Sequence, residues 1–176
     1  MSTRGRIVRV PASSGNLGAG FDVLGAALSI FLEVEVVEAG EFSIDPGGAG
    51  IPADRSNLIV ASFERLHSAD GLRFTVRNQI PLARGLGSSA AAILAGLIAA
   101  DSLYELGLTR DQIFAQAVAI EGHPDNVAAA LYGGITVCSP PGARFRETPP
   151  DPILTALGEA PPAASRGSGR RAASRR

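Results

Sequence analysis

The chain has 176 residues, of which 45% are hydrophobic, and this length and composition favour a folded domain over a wholly disordered chain. Its single cysteine, Cys138, excludes an internal disulfide and a cysteine-rich zinc site. The net charge is only -1, but residues 1–140 carry 9 arginines and 14 acidic residues, whereas residues 141–176 carry 7 arginines and 3 acidic residues. We therefore expect two regions of different character.

The sequence gives no sign of membrane insertion or secretion. The longest mainly apolar run, residues 90–100, is too short to span a bilayer and is followed by Asp101. The N-terminus lacks the apolar stretch of a secretory signal. We therefore expect a cytoplasmic protein with no membrane partner.

The N-terminal part of the chain predicts strands and one helix. Residues 6–10 and 31–38 read as strands, the second with alternating valines and glutamates, and a glycine-broken loop lies between them. Residues 42–45 are expected to pair with the second strand. Residues 57–71 then have helical spacing and stop at a glycine.

The middle of the chain predicts a strand, a turn and a long helix. Residues 72–78 alternate cleanly between apolar and polar side chains. After a turn, Ser88 or Ser89 is expected to cap a helix that runs to about Leu106 and ends at Gly107.

Two further helices and a strand complete the patterned region. Thr109 and Gln112 have the spacing of a capping box at the start of one helix. Residues 124–134 predict a short helix closed by glycines, and residues 134–138 predict a final strand. Together these elements predict an α+β domain that ends near residue 140.

Residues 141–176 differ in composition from everything before them. They are rich in proline, alanine, serine, glycine and arginine and have little apolar patterning, so we expect a disordered tail. A basic tail can bind nucleic acid, but this one lacks the interleaved aromatic residues of a base-stacking surface. A nucleic-acid partner is therefore disfavoured.

The segment "GLGSS" at residues 85–89 is the first candidate site. Its glycines follow a predicted strand and precede an alanine-rich helix, a position where backbone N–H groups and the helix dipole favour an anion. The serine hydroxyls could touch phosphate or ligate Mg²⁺. The equally weighted alternative on spacing alone is a helix N-terminus that uses small residues for close packing.

Two better-known glycine motifs fit this segment less well. The chain has no lysine, which excludes the Walker pattern. Gly85, Gly87 and Ala90 fit the dinucleotide-binding fingerprint, but the acidic residues about 20 positions on fall inside a predicted helix rather than at a strand end.

Two further segments combine polar side chains with glycines. Residues 13–25 carry Asn16 and Asp22, an amide and a carboxylate that suit an ammonium or hydroxyl group. Residues 121–134 place Glu121, His123, Asp125 and Asn126 within six residues. Taken singly, each segment is more readily explained by helix capping and ordinary loop contacts.

Three blocks taken in order resemble a known family. They are "PASSGNLGAGFD" at residues 11–22, "PLARGLGSSAA" at residues 81–91 and "EGHPDNV" at residues 121–127. Over about residues 6–138 the chain resembles the GHMP family of small-molecule kinases, and within it the branch that acts on homoserine. Mevalonate- and galactose-type members place an aspartate, often a catalytic base, where this similar sequence has Asn126.

The resemblance implies a fold and a reaction. The fold would be an α+β N-terminal domain similar to domain 2 of ribosomal protein S5, followed in the family by a ferredoxin-like domain. ATP and substrate would lie between the two domains. The reaction would be the ATP- and Mg²⁺-dependent phosphorylation of the L-homoserine hydroxyl, a step in threonine biosynthesis.

The resemblance also implies roles for individual residues. Ser89 and Glu121 would be the Mg²⁺ ligands, and Asn126 would lie near the hydroxyl that is phosphorylated. The amino acid substrate would face Asn16, Asp22, which would pair with its ammonium group, and His123. The loop around the ATP phosphates would comprise Pro81, Leu82, Ala83, Arg84, Gly85, Leu86, Gly87, Ser88, Ser89, Ala90 and Ala91.

The resemblance stops after Cys138. The family's ferredoxin-like domain, which supplies arginines for the substrate carboxylate, has no counterpart in residues 141–176. We expect a truncated or frame-shifted gene product, since out-of-frame GC-rich DNA encodes the residue types of this tail. A homodimer stays open.

Two other functions stay open beside the kinase. One is a nucleotide-binding module without catalysis, which ATP turnover that depends on homoserine would exclude. The other is an S5-like RNA-associated domain, which the acidic balance of residues 1–140 disfavours.

Overall fold

A computed structural model describes residues 4–18, 20–139, 142–146 and 153–156; for Ser139 and the last two ranges it describes the backbone alone. The elements follow one another in the order β1 (Gly5–Ser14), β2 (Leu24–Glu38), β3 (Ser43–Asp45), α1 (Leu58–Phe63), β4 (Leu72–Asn78), α2 (Ser88–Tyr104), α3 (Arg110–Glu121), α4 (Pro124–Tyr132), β5 (Ile135–Ser139), β6 (Gly142–Arg146) and β7 (Ile153–Ala156). The α+β fold class predicted from the sequence is confirmed.

The strands form one seven-stranded sheet in the order β3-β4-β2-β1-β7, and β5 pairs with the first residues of β2 and with β6. All pairs are antiparallel except β3 with β4. The β1–β2 register shifts between Pro11 and Ala12, and a shift of this kind bends a strand. This bend lies three residues before the first glycine-rich loop, at the end of β1 where the site is built.

The core lies between the sheet and the helix α2. Alternate residues of β2 (Leu32, Val34 and Val36) are buried on the face that meets the helices, as the sequence pattern predicts. Helix α2 is apolar on almost every side, because it packs between the sheet and α1. A Cβ at Gly96 would lie 2.2 Å from the carbonyl oxygen of Ile59, so only glycine lets α1 pack this closely.

Two predicted elements differ from the structure near the sheet edge. The strand predicted at residues 42–45 pairs with β4, in parallel, and not with β2. Both edges of β2 are already occupied by β1 and β4, so no backbone groups remain there for a third partner. The helix predicted over residues 57–71 is six residues long, because after Phe63 the chain continues in turns such as the bond from the Leu66 N–H to the Phe63 carbonyl.

The predicted tail is only partly described. Strands β6 and β7 lie inside it and join the sheet, which differs from the expectation of a segment without regular structure. Backbone pairing with β5 and β1 explains this, since a strand can be added to a sheet without an apolar side-chain pattern of its own. The predictions for residues 147–152 and 157–176 lie outside the described residues. Within the described part of the chain, no helix has both the length and the hydropathy to cross a bilayer.

Candidate functional site

The loop that enters α2 has an unusual backbone. Ala83, Gly85 and Gly87 all have φ in the left-handed region, at 54°, 68° and 63°. A Cβ on Gly87 would lie 2.1 Å from Ser13 Oγ and 3.0 Å from the Ser13 carbonyl oxygen. Glycine is therefore required at position 87 for two reasons, the backbone conformation and the close approach of β1.

Helix α2 begins without a side-chain cap, which corrects the prediction that Ser88 or Ser89 would supply one. The N-cap residue is Gly87, and the two serines are the first residues of the helix itself. The Ser89 hydroxyl instead donates a hydrogen bond of 2.6 Å to Glu121 Oε2. The first backbone N–H groups of α2 thus have no side-chain cap and are available to an anion.

Ser89 and Glu121 come from two different helices. Glu121 is the last residue of α3, and Gly122, with φ of 93°, ends that helix and turns the chain towards α4. The hydroxyl and carboxylate predicted to bind Mg²⁺ therefore lie side by side at the start of α2. Within the described part of the chain no group of three histidine, cysteine or acidic residues could hold a metal. Two protein ligands nevertheless fit Mg²⁺ when phosphate oxygens and water complete its shell.

Ser13 joins all three parts of the site, and sequence reasoning gave it no role. Its side chain is fully buried, its backbone N–H donates to the Leu86 carbonyl at 3.1 Å, and its hydroxyl donates to Asn126 Oδ1 at 3.0 Å. These bonds link β1, the loop before α2 and the first turn of α4. The signal in the sequence was the first block, "PASSGN", where Ser13 precedes Gly15.

Asp125 lies beneath this junction and is fully buried. Its Oδ2 accepts a hydrogen bond of 2.9 Å from the Asn16 N–H, whereas Oδ1 has no partner among the described residues. A Cβ on Gly15 would lie 2.0 Å from Asp125 Oδ2, so the backbone of the loop rests directly on the carboxylate. The N-cap of α4 is His123, not Asp125, and the His123 side chain makes no capping bond.

The loop between β1 and β2 presents Asn16 and Asp22 at its surface. Both residues are exposed and both have left-handed φ, 55° and 54°. The Asp22 N–H donates to Asn16 Oδ1 at 2.9 Å, which closes the loop on itself. The Asp22 carboxylate and the exposed His123 are thus carried by segments that meet at Asp125.

Residues 81–91 are exposed at their start and buried at their end. Residues 81–85 are exposed and could surround a ligand, whereas Ala90 and Ala91 are buried in the core. The Ala91 N–H already donates to the Gly87 carbonyl at 2.9 Å within the helix. Any role of these two alanines is therefore to allow close packing behind the loop.

A cavity of about 370 Å³ adjoins the start of α2 and was missed from the sequence. Its walls are mainly apolar, with Leu58 and Leu82 at its rim and Ser88 and Ser89 at one side. This volume is within the range of small-molecule pockets. The residues that line it come from separate parts of the chain. They are Leu32, Pro46, 50–52, 56–59, Val76, Asn78, Leu82, Ser88, Ser89 and Ala92. No local sequence pattern could have grouped them.

Two titratable groups near α4 have raised pKa values. Burial, and then the nearby charge of Asp125, raise the pKa of the Cys138 thiol to about 11, so it is neutral and unreactive at physiological pH. Burial and a hydrogen bond to Asp111 raise the pKa of the Tyr132 hydroxyl. Both groups stay protonated at neutral pH, and Cys138 is a buried residue of the core.

Comparison with known proteins defines the class. Residues 57–134 match the family model described as the GHMP kinases N terminal domain. A solved structure of a homoserine kinase candidate from Listeria monocytogenes superposes with a TM-score of 0.71 and 38% identity, over 86% of this chain and 53% of that one. Residues 57–134 are therefore similar to the N-terminal domain of GHMP kinases, and the fold of the described residues resembles that of the Listeria protein.

The similarity extends to a particular branch of that family. The chain is 46% identical over 134 residues to the homoserine kinase of Streptococcus equi subsp. zooepidemicus, a match that covers 75% of this chain and 47% of that protein. It is 48% identical over 139 residues to the homoserine kinase of Corynebacterium efficiens, covering 74% and 45%. The chain thus spans about half the length of these curated relatives.

Proposed function

We propose that this domain serves the ATP-dependent phosphorylation of the L-homoserine side-chain hydroxyl. The observation that carries the proposal is that the three blocks shared with the kinase family meet at one residue. Ser13 of the first block is hydrogen-bonded to Leu86 of the second and to Asn126 of the third. The identity of 46–48% to homoserine kinases supports the choice of substrate.

In this proposal ATP binds at the start of α2. The phosphates lie against residues 81–89, where the left-handed glycines expose backbone N–H groups and no lysine is needed. The nucleotide base occupies the apolar cavity beside Ser88, which has room for a planar heterocycle. Arg84 is exposed at the loop and adds positive charge near the phosphates.

Ser89 and Glu121 hold Mg²⁺ in this proposal. The adjacent hydroxyl and carboxylate are a donor set that suits this hard cation. Mg²⁺ bound there supplies positive charge that offsets the charge on the transferring phosphoryl group. Glu121 is at the end of a helix and Ser89 at the start of another, so their relative position is set by helix packing.

The remaining residues handle the amino acid. Asp22 pairs with the substrate ammonium group, and Asn16 and His123 lie beside it. Asn126, whose Oδ1 accepts from Ser13, lies near the hydroxyl that is phosphorylated. Because phosphoryl transfer passes through a loose transition state, positioning and charge stabilisation can carry the reaction without a carboxylate base.

ATP and homoserine are metabolites of the cytoplasm, which is the location we propose. The proposed partners are these small molecules, without a membrane or a nucleic acid. We also propose that the protein forms a homodimer, which sedimentation equilibrium would test.

The proposal is tested by measuring ADP production and ATP binding on the purified chain in parallel. Turnover that requires L-homoserine and Mg²⁺, and that is lost in Ser89→Ala and Asn126→Ala, is the expected result. ATP binding without turnover in a folded chain would instead support a nucleotide-binding module. Salt-sensitive RNA binding that is unchanged in Gly87→Ala and Ser89→Ala would support the RNA-associated alternative.

A further inference from the structure

We propose that Asp125 is a positioning residue that acts through Asn16 to fix Asp22. The evidence is a chain of two hydrogen bonds. Asp125 Oδ2 accepts from the Asn16 N–H at 2.9 Å, and Asn16 Oδ1 accepts from the Asp22 N–H at 2.9 Å. These two bonds connect the buried carboxylate of Asp125 with the exposed residue Asp22, by way of Asn16, which lies six residues before Asp22 in the loop.

The two loop residues that make these bonds have a left-handed backbone conformation. Asn16 and Asp22 are not glycines, yet both have φ near 55°. A left-handed conformation costs less for asparagine and aspartate than for other residues with a Cβ, because their side chains form local hydrogen bonds that stabilise it. Each of these two residues donates its backbone N–H to one of the two hydrogen bonds.

Asp125 is suited to this task by its rigidity. It lies in the first turn of α4 and is 0% exposed, and the backbone of Gly15 rests against its carboxylate. The next residue, Asn126, is held by Ser13 on the other side of Gly15. The first turn of α4 therefore binds the chain at positions 13 and 16, which anchors the loop between β1 and β2 to this helix.

The buried carboxylate is costly for stability alone. Its Oδ1 has no hydrogen-bond partner among the described residues, and a buried polar atom without a partner destabilises a fold. A single hydrogen bond from a backbone N–H offsets only a small part of the free-energy cost of burying a charge. A role in orienting Asp22, the residue proposed to pair with the substrate ammonium group, explains why a carboxylate stands at this position despite the cost.

The test compares Asp125→Ala and Asp125→Asn with Asp101→Ala. Asp101 is a matched control, since its Oδ1 also accepts one backbone N–H, that of Leu108 at 2.9 Å, but at the far end of α2. Amide hydrogen exchange is followed by NMR. We expect Asp125→Ala to speed exchange at Asn16 and Asp22 at least about tenfold, with the β2 and β4 amides unchanged.

Asp125→Asn keeps an acceptor oxygen for the Asn16 N–H, so it should restore most of the protection. Gly15→Ala pushes a methyl group into the same carboxylate and should loosen the same two amides even if Asp125→Ala does not fold. Unchanged exchange at Asn16 and Asp22 in the folded variants would overturn the proposal. So would a uniform rise across the sheet, which would show a merely structural role.

A second readout rests on the proposed function for the identity of the ligand. Titration with L-homoserine should show affinity reduced about tenfold or more in Asp125→Ala, with ATP affinity unchanged. An equal loss of both affinities would contradict positioning. If the unmodified chain binds no homoserine, the proposed substrate fails while the exchange experiment still decides the role of Asp125.

Discussion

The four helices in the described part of the chain begin in two different ways. The starts of α1 and α3 are closed by their own side chains: Asn57 accepts from the Ile59 N–H, and Thr109 and Gln112 form a complete capping box. The starts of α2 and α4, at Gly87 and His123, have no side-chain cap. The two open starts are the ones that meet at Ser13.

The capped helix starts contribute to the stability of the fold, whereas the uncapped starts lie at the candidate site. A helix that serves only the fold gains stability by satisfying its first N–H groups. Helices α2 and α4 lack this stabilisation, so no side-chain cap occupies the N–H groups of their first turns. The serines that could cap α2 lie one and two residues too late to do so, and Ser89 bonds to Glu121 instead.

The largest expected effect concerns the charge beside the open start of α2. Glu121→Gln keeps an oxygen that accepts from Ser89 but removes the negative charge that a cation requires. We expect Mg²⁺-dependent ATP affinity to fall roughly 10- to 100-fold, as for other losses at metal sites. Calorimetric titration of ATP with and without Mg²⁺ measures this.

The control for that experiment is Glu105→Gln, an exposed glutamate that pairs with Arg4 and Arg6 beyond the end of α2. It should leave ATP affinity unchanged. Equal Mg²⁺ dependence in Glu121→Gln and the unmodified chain would remove Glu121 from the metal site.

The second prediction uses two glycines of the same loop. Gly85 and Gly87 have nearly the same φ, so alanine is strained at both positions to a similar degree. Only at position 87 does the new Cβ collide with Ser13. Gly87→Ala should therefore be less stable than Gly85→Ala by roughly 1–3 kcal/mol, the range for overpacking.

Urea denaturation of the two variants gives this difference directly. The Gly87→Ala collision also separates β1 from the loop, so it should weaken ATP binding more than Gly85→Ala does. Equal stability would mean that the loop is not held against Ser13.

The closed start of α3 could be predicted from the sequence, whereas the open start of α2 could not. The capping box of Thr109 and Gln112 is a local pattern with fixed spacing, and it is confirmed. At Ser88 the same kind of local reasoning gave a wrong N-cap. What decides that position is the left-handed Gly87 and its contact with Ser13, 74 residues away in sequence, which no window of the sequence contains.

The site shows the same division. The pairing of Ser89 with Glu121 followed from the family resemblance, and the structure brings the two together. The buried Asp125 read as an ordinary capping residue, because its carboxylate binds a backbone group and not a side chain that a pattern would reveal. The apolar cavity was invisible for a related reason, since its walls come from segments up to 60 residues apart, such as Leu32 and Ala92.

The third prediction concerns the buried thiol of Cys138 and its effect on stability at high pH. Cys138 has a pKa raised to about 11, and in the unfolded chain its pKa is about 9. Because the folded state holds the proton more tightly, this stabilisation is complete below about pH 9 and is lost as the pH rises towards 11. The difference between the two pKa values corresponds to a loss of roughly 3 kcal/mol at most.

Urea denaturation at pH 8 and pH 11 on the unmodified chain and on Cys138→Ala isolates this contribution. Tyr132 also has a raised pKa, so its deprotonation lowers the stability of both proteins at high pH; the charge of Cys138 is the last of its causes, so the contribution is nearly the same in the two proteins. The difference in free energy of unfolding should therefore shrink as the pH rises. A constant difference would show that the thiol titrates normally.

The smallest expected effect is at a closed start. Thr109→Ala removes the acceptor for the Gln112 N–H and should lower stability by about 1 kcal/mol, the usual value of an N-cap. ATP affinity should not change, because α3 begins at the opposite end from Glu121. Thermal unfolding and ATP titration on the same sample check both expectations. A loss of ATP affinity here would show that closed and open starts are coupled through α3, since a looser first turn would then displace the carboxylate at its last residue.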